Sequence, residues 1–266
     1  MGPPAQHATV HVVVTAPYDP TPPEDAEAAA AAARHRLPFV ERRGRPLDRV
    51  AREAGADAVL VLGRRRVSLW VEGMEHPWHA GMGELRLKRL ARGEATSRDT
   101  FLEAAALRPG DHVLDATLGL GMDALVAAGV VGPSGRVVGI EASPALAALA
   151  AEGLARHPSD AARRISVVCA DAADALVRMP PRSFDVIVFD PMFRHTRAAA
   201  GAFDLVRRLG SATTVAPATM ARARTVARRH VVVKDGAPGW DLSRLGLTPL
   251  PSVRGARLYY ARVPAL

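Results

Sequence analysis

Two short stretches decide how this chain folds: Val113-Leu-Asp-Ala-Thr-Leu-Gly-Leu-Gly121 and Phe189-Asp-Pro-Met-Phe193. The first is an apolar run that ends in an acid and continues into glycines, which predicts a strand that turns sharply into a helix. The second closes another apolar run and predicts a buried strand with Asp-Pro and an aromatic residue at its end. Since the carboxyl ends of parallel strands meet at one sheet edge, we expect both stretches to border one site.

From Asp111 onward, apolar runs alternate with helix-forming segments. Strands are predicted at residues 112–116, 136–141, 165–170, 184–190 and 230–234, with a closing hairpin at 248–253 and 256–263. The short connections and the apolar strands indicate a parallel sheet that is covered by helices on both faces.

A smaller α/β unit is predicted at the start of the chain, with strands at 11–15, 37–41, 57–63 and 66–71 and two intervening helices. The order β-α-β-α-β-β favours one compact layer arrangement. The predicted organisation is therefore a small α/β N-terminal domain at 8–75, a helical linker with a basic helix at 76–110, and the sheet domain at 111–266.

The composition limits the class of protein. Of the 266 residues, 48% are apolar and 23% charged, which is typical of a folded globular protein with a sizeable core. No apolar run approaches the roughly 20 residues of a membrane span, and we expect no signal peptide. Cys169 is the only cysteine, which excludes an intramolecular disulfide and a cysteine-based metal site and favours a reducing cytoplasm.

The net charge of +8 has two interpretations. It can indicate a polyanionic partner such as nucleic acid. It can also reflect the coding bias of a GC-rich genome, since only Lys88 and Lys234 among the 35 basic residues are lysines. The densest basic segment, 84–92, has the same ambiguity: it is either a solvated amphipathic helix or a helix that contacts phosphates.

Three acids end three successive predicted strands. Asp115 suits the ammonium group of an amino-acid ligand and disfavours a pyrophosphate, although Gly119-Leu-Gly121-Met-Asp-Ala124 also fits the weak dinucleotide fingerprint. Glu141 can accept both hydroxyls of a ribose. Asp171 is either an acceptor for an adenine edge or the cap of the following helix.

Asp190-Pro191-Met192-Phe193 suits a planar amine. An exocyclic amine conjugated to a purine ring is a poor nucleophile, because its lone pair is delocalised. The Asp190 carboxylate and the backbone carbonyl before Met192 can accept its two N–H groups and direct the lone pair outward, which acts through orientation and electrostatics. Pro191 stiffens this turn, and Phe193 can stack on a base. The alternative is an ordinary Asp-Pro turn beside a buried Phe.

The order of these motifs resembles the class I S-adenosylmethionine-dependent methyltransferases. It is more narrowly similar to the bacterial guanine-N2 methyltransferases of small-subunit ribosomal RNA, and to uncharacterised bacterial methyltransferases with a segment like His79-Ala-Gly-Met82. The resemblance implies an α/β fold, with a Rossmann-like seven-stranded sheet and a small α/β N-terminal extension. It also implies methylation of an exocyclic base amine, most narrowly guanine N2 in ribosomal RNA. Two departures are Arg194, where the ribosomal family has proline, and Met122, where it has arginine.

The resemblance further implies site residues and partners. The predicted cofactor-binding residues for S-adenosylmethionine are Asp115, Thr117, Gly119, Gly121, Glu141, Ala142, Asp171, Ala172 and Asp190. The predicted catalytic residues are Asp190, Pro191 and Phe193, and the predicted substrate-binding residues are Arg86, Arg89, Met192, Arg194, His195 and Arg197. His195 and Arg197 either meet phosphate or are simply exposed. Methyl transfer is a direct displacement, so no metal is expected, and an RNA target within a duplex must be flipped out.

Three alternatives remain at this stage. A small-molecule or protein methyltransferase would share the fold and cofactor. A nicotinamide-dependent oxidoreductase could use the glycine turn, but the chain lacks a Tyr-x-x-x-Lys constellation. A non-catalytic RNA-binding module would not need Asp190-Pro-Met-Phe193.

Overall fold

The computed structural model describes residues 10–94, 99–191, 205, 208–210, 214–251 and 257–266. These residues form a four-stranded sheet, whose strands lie side by side in chain order, and a six-stranded sheet. Among these residues, none of the helices has the length and the apolar character of a membrane span.

The larger sheet has the predicted parallel core. Its strands are β5 (His112–Asp115), β6 (Arg136–Glu141), β7 (Ile165–Cys169), β8 (Phe184–Phe189), β9 (Ala227–Gly236) and β10 (Leu258–Pro264). All neighbouring pairs are parallel except β9 and β10. The chain runs outward from β5 through β6 to β7 and then returns to β8 on the other side of β5. Such a reversal opens a crevice at the carboxyl ends of the two central strands.

Helices cover both faces of this sheet. They are α3 (Gly81–Ala91), α4 (Thr100–Ala105), α5 (Met122–Val131), α6 (Pro144–Arg156), α7 (Ala172–Arg178), α8 (Pro217–Val226) and α9 (Trp240–Arg244). Successive strand residues point to opposite faces. Val113 packs with Leu125 of α5, whereas Leu114 packs with Leu176 of α7 and Met220 of α8.

The predicted closing hairpin forms only in part. Its second strand is β10, but residues 248–251 of its first strand are irregular, and Leu250 N–H donates a backbone hydrogen bond to Tyr260 (2.7 Å). Pro249 and Pro251 have no N–H groups, which prevents a regular ladder. The remaining residues of that strand, 252 and 253, lie outside the described residues. The described part of the sheet therefore has six strands where seven were expected.

The smaller sheet contains β1 (Val12–Thr15), β2 (Ala58–Leu62), β3 (Val67–Val71) and β4 (Met74–Pro77), with helices α1 (Pro22–His35) and α2 (Leu47–Ala54). The predicted strand at 37–41 is reduced to one bridge between Val14 and Phe39, since Pro38 cannot donate to a ladder. Strand β4 was not predicted because its residues are mostly exposed and lack apolar alternation. The predicted domain boundary at residue 75 falls inside β4.

The smaller sheet shares a hydrophobic cluster with α6 and with the turn after β5. Leu60 of β2 and Leu69 of β3 pack with Leu146 and Leu149 of α6, and with Leu120 of the turn after β5. The smaller sheet thus packs directly against α6. Whether it is a domain in its own right stays a prediction.

Candidate functional site

A cleft lies at the carboxyl edge of the larger sheet, where β5 and β8 end. Eight of the residues predicted from the sequence line this cleft: Thr117, Gly119, Glu141, Ala142, Asp171, Ala172, Asp190 and Pro191. They come from four different strand ends, which the parallel topology brings to one edge.

The glycine turn after β5 separates into two functions. Gly119 has φ +55°, and a Cβ there would meet nothing within 4 Å. Its backbone can therefore be approached closely from the cleft. Gly121 has φ +81° and begins α5, and a Cβ there would lie 3.1 Å from Leu154 Cδ1. Gly121 does not line the cleft, and its role in the described structure is to pack the turn against α6.

Glu141 ties the turn to the end of β6. Its Oε2 accepts a hydrogen bond from Gly119 N–H (2.9 Å), and its Oε1 accepts one from Ser143 N–H (2.9 Å). Burial raises the pKa of this carboxyl group, which these backbone donors partly offset. Each carboxylate oxygen can accept a second hydrogen bond, so Glu141 keeps capacity for hydroxyl groups of a ligand.

Asp171 caps α7, which is one of the two roles predicted for it from the sequence. Its Oδ1 accepts hydrogen bonds from Ala173 N–H (2.8 Å) and Asp174 N–H (3.2 Å). Because Asp171 also lines the cleft, its predicted contact with an adenine edge stays a prediction.

Asp115 is buried just behind the cleft wall. Its Oδ1 accepts a hydrogen bond from Thr117 N–H (3.2 Å). Burial, followed by the neighbouring Asp123 and Asp190 carboxylates, raises the pKa of Asp115 to about 8. Thr117 also connects this group to β8, because Asp190 N–H donates to Thr117 Oγ1 (2.6 Å).

Asp190 is paired with a lysine that sequence reasoning missed. Lys234 Nζ lies 2.6 Å from Asp190 Oδ2 and 3.2 Å from Asp123 Oδ2. The register between β8 and β9 pairs Phe189 with Val233, which places the next residues of both strands side by side. Two signals could have found Lys234: it ends a predicted neighbouring strand, and it is one of only two lysines in an arginine-rich chain.

Arg86, a predicted substrate-binding residue, is held by acids. Its guanidinium donates to Asp99 Oδ2 (2.6 Å) and Oδ1 (3.0 Å) and also to Asp123, and it lies 5.3 Å from the Phe101 ring centroid. The side chain is only 17% exposed. Two carboxylates therefore neutralise the guanidinium in this structure, and its contact with substrate stays a prediction.

The rest of helix α3 is also largely balanced by acids. Lys88 pairs with Glu84 (2.7 Å), and Arg89 and Arg92 each lie 3.8 Å from Glu94. Arg89 is exposed, and its contact with substrate stays a prediction. Met192, Phe193, Arg194, His195 and Arg197 lie outside the described residues.

Among the described residues around the cleft, carboxyl groups outnumber cations. Arg86 and Lys234 pair with Asp99, Asp123 and Asp190, whereas Asp115 and Glu141, whose pKa values are raised, have no ion-pair partner in this part of the chain. Such an excess favours a ligand that carries positive charge. Within the described ranges, no group of three or more His, Cys, Asp or Glu side chains could hold a metal ion.

Comparison with known proteins gives consistent relatives. A family model described as "Putative SAM-dependent methyltransferase" matches residues 54–243. The chain is 33% identical over 206 residues to "Uncharacterized protein YpiP" of Bacillus subtilis, covering 75% of this chain and 79% of that protein.

Two similar proteins carry the name ribosomal RNA small subunit methyltransferase J. The one from Pseudomonas paraeruginosa is 31% identical over 240 residues, covering 80% of this chain and 86% of that protein. The one from Alkalilimnicola ehrlichii is 35% identical over 189 residues, covering 62% and 70%. A crystal structure of a SAM-dependent methyltransferase from Neisseria gonorrhoeae superimposes with a TM-score of 0.61 at 22% identity, covering 95% of both chains, which supports the fold.

Proposed function

The chain belongs to the family of SAM-dependent methyltransferases, and from this premise we propose that it methylates the exocyclic N2 of a guanine in small-subunit ribosomal RNA. The observation that carries the proposal is the position of Asp190 and Pro191, at the end of β8 and on the wall of a cleft that Glu141 and Asp171 also line. The two relatives named ribosomal RNA small subunit methyltransferase J support the RNA substrate.

The site fits S-adenosylmethionine, the cofactor of the family. The open space beside Gly119 admits a ligand close to the backbone, and the excess of buried carboxylates suits a ligand with sulfonium and ammonium charges. Glu141 would hold the ribose hydroxyls, and Asp171 and Ala172 the adenine. Asp115, which lies behind the cleft wall, would meet the ammonium group through water. When bound, the cofactor supplies an electrophilic methyl group on sulfur.

The residues at the end of β8 would act on the amine. The Asp190 carboxylate and the Pro191 carbonyl accept its two N–H groups, which turns the nitrogen lone pair out of conjugation with the purine ring. This fixed orientation supplies most of the rate gain that the protein can provide here. As the nitrogen bonds to the methyl group, the methyl–sulfur bond would break and leave S-adenosylhomocysteine, and one proton of the amine would pass to Asp190 and from there to solvent.

The proposal of an RNA substrate does not rest on helix α3, whose charges are largely paired. It is supported by the relatives' names and is compatible with the net charge of +8. A ribosomal substrate would place the enzyme in the cytoplasm, as expected from the single cysteine. A small-molecule or protein substrate is the outcome to which a negative RNA test would point.

The decisive experiment compares ribosomal RNA nucleosides from a deletion strain and its parent by mass spectrometry. We expect one N2-methylguanosine to disappear from the small-subunit RNA and to return when the gene is restored. Complementation of the deletion strain with the Asp190→Asn variant should not restore this N2-methylguanosine, although calorimetry should show that the variant still binds S-adenosylhomocysteine. Glu141→Ala serves as the contrast, because it should lose the cofactor itself. Identical nucleoside profiles in the two strains would overturn the RNA substrate.

A further inference from the structure

Lys234 is a largely buried cation between two carboxylates. Its side chain is 14% exposed, and its ammonium group contacts Asp190 at 2.6 Å and Asp123 at 3.2 Å. Lysine is rarely buried unless it is paired. Both carboxylates raise the pKa of the ammonium group and outweigh the opposing effect of burial, so Lys234 is charged.

The ammonium group is anchored from behind. Asp123 uses one oxygen for Lys234 and the other for Arg86, and Arg86 is held in turn by both oxygens of Asp99. Asp99 is itself fixed as the cap of α4, where it accepts from Leu102 N–H (3.1 Å). Charges therefore alternate along a chain of contacts that runs from α4 to the cleft. Because each group has a partner on both sides, Lys234 cannot easily leave Asp190.

The two oxygens of Asp190 are consequently different. Oδ2 accepts from Lys234, whereas within the part of the chain that the structure describes no N–H or O–H donates to Oδ1. The backbone of Asp190 is fixed separately, through its N–H to Thr117 Oγ1 (2.6 Å). Oδ1 is thus the oxygen that remains available to a ligand in the cleft.

We propose that Lys234 is a positioning residue for methyl transfer: it occupies Oδ2 of Asp190 and presents Oδ1, ionised, to the N–H of the target amine. This inference rests on the proposed function, because it assigns the acceptor that the amine meets. Lys234 touches neither amine nor cofactor in this role and acts through Asp190.

The charge of Lys234 matters as well as its position. The pKa of Asp190 is raised overall, by burial and by the Asp123 carboxylate, and Lys234 is the strongest influence that opposes this rise. A protonated Asp190 would carry an O–H donor where the amine needs an acceptor. Among the described residues, the ionisable groups that act on Asp190 come from five packed elements: Asp115 on β5, Asp123 on α5, Lys234 on β9, Tyr260 on β10 and Arg86 on α3.

The test uses the only two lysines of the chain. Lys234→Met removes the charge and keeps the length of the side chain. Lys88→Met is the matched control, because it breaks only the exposed pair with Glu84. Each full-length protein is assayed with radiolabelled S-adenosylmethionine and small-subunit ribosomal RNA from the deletion strain, over a range of pH. Calorimetry with S-adenosylhomocysteine is run in parallel.

For Lys234→Met we expect kcat to fall by about 10²-fold, while the Kd for S-adenosylhomocysteine stays close to that of the unaltered protein. Without the cation, the pKa of Asp190 rises, so the ascending limb of the kcat profile should move to higher pH by about one unit or more. Lys88→Met should change neither quantity. An unaltered kcat and pH profile in Lys234→Met would overturn the inference alone. Failure of the unaltered protein to methylate the RNA would overturn the proposed function and this inference with it.

Lys234→Arg covers the case in which the methionine variant does not fold. It keeps the charge but replaces the compact ammonium with a planar guanidinium group. The ascending limb of the kcat profile should therefore stay at the same pH while kcat falls. Full retention of kcat would contradict the positioning role.

An NMR measurement needs no RNA. In protein labelled with [15N]lysine, two Nζ signals are expected, and Asp190→Asn should shift the Lys234 signal. An unshifted signal would show that the pair does not exist in solution.

Discussion

Asp115 shows how a single buried residue can carry a pH dependence. Its carboxyl group is 5% exposed and accepts one backbone hydrogen bond, and its nearest charged neighbours include two other carboxylates. Its pKa of about 8 in the folded protein lies far above the ordinary value of about 3.9 for an unfolded chain. Between these two pH values the folded state binds more protons, so the contribution of Asp115 to stability falls as pH rises.

Asp115→Asn should therefore stabilise the protein most at alkaline pH. We expect the difference in unfolding free energy between the variant and the unaltered protein to grow from pH 5 to pH 9. Each unit of pKa shift corresponds to about 1.4 kcal/mol, so the difference in unfolding free energy should grow by more than about 1.4 kcal/mol over this pH range. Urea unfolding at several pH values measures it.

The control for Asp115 is Asp171→Asn, since Asn caps a helix as well as Asp does. Its difference in unfolding free energy should stay within about 0.5 kcal/mol at every pH, as for most surface changes. A pH-independent difference for Asp115→Asn would show that this carboxyl group is ionised in the folded protein.

At the scale of elements, the turn between β5 and α5 combines binding and packing. Gly119 faces the cleft with nothing near its missing side chain, whereas Gly121 faces α6 and meets Leu154. Both have positive φ, so a side chain costs backbone strain at either position. Because their surroundings differ, a substitution at Gly119 and one at Gly121 should have different effects.

Gly119→Ala should weaken cofactor binding more than it weakens the fold. We expect strain of about 1–2 kcal/mol and, because the methyl group enters the cleft, a larger loss in S-adenosylhomocysteine affinity measured by calorimetry. Gly121→Ala adds a tight contact with Leu154 to the same strain, so its Tm should fall further. The opposite ranking of the two Tm values would contradict this division.

At the scale of the whole molecule, the smaller sheet is attached through α6. Beside the shared apolar cluster, Glu152 of α6 binds Arg34 (2.9 Å) and His35 (2.8 Å) of α1, and Arg156 (2.6 Å) of its own helix. These partners lower the pKa of Glu152 to about 2 despite the opposing effect of burial. A lowered carboxyl pKa contributes stability at neutral pH that is lost as pH falls from about 4.5 toward 2.

Glu152→Gln should destabilise the protein by about 3 kcal/mol at pH 7, because it replaces a buried, paired carboxylate with an uncharged amide that holds Arg34 and Arg156 more weakly. Glu27→Gln is the matched control. Glu27 and Glu152 both lie 2.9 Å from Arg34, but their side chains are 48% and 5% exposed.

Urea midpoints at pH 7 and below pH 4 measure both variants. The effect of Glu27→Gln should stay below about 1 kcal/mol, as for exposed pairs, and that of Glu152→Gln should shrink at the lower pH. Equal effects for the two variants would mean that burial does not strengthen the Glu152 contacts.

The local pattern of the chain was sufficient for the parallel sheet, for the glycine turn after β5 and for the acids at the strand ends. Each of these depends on residues that are close in sequence: apolar runs set the strands, and the parallel topology brings their carboxyl ends to one edge. The same reasoning missed β4, which has no apolar alternation. It also overestimated the strands that contain Pro38, Pro249 and Pro251.

Only the tertiary structure decided which charges meet. The pairing of Lys234 with Asp190 follows from the register of β8 against β9, and the burial of Arg86 follows from acids on α4 and α5 that are distant in sequence. The packing of the smaller sheet on α6 is of the same kind. Charge partners across a fold depend on strand register and helix placement, which no local pattern encodes. The sequence by itself therefore predicted residues that line the cleft, and the tertiary structure showed which charged groups pair beside it.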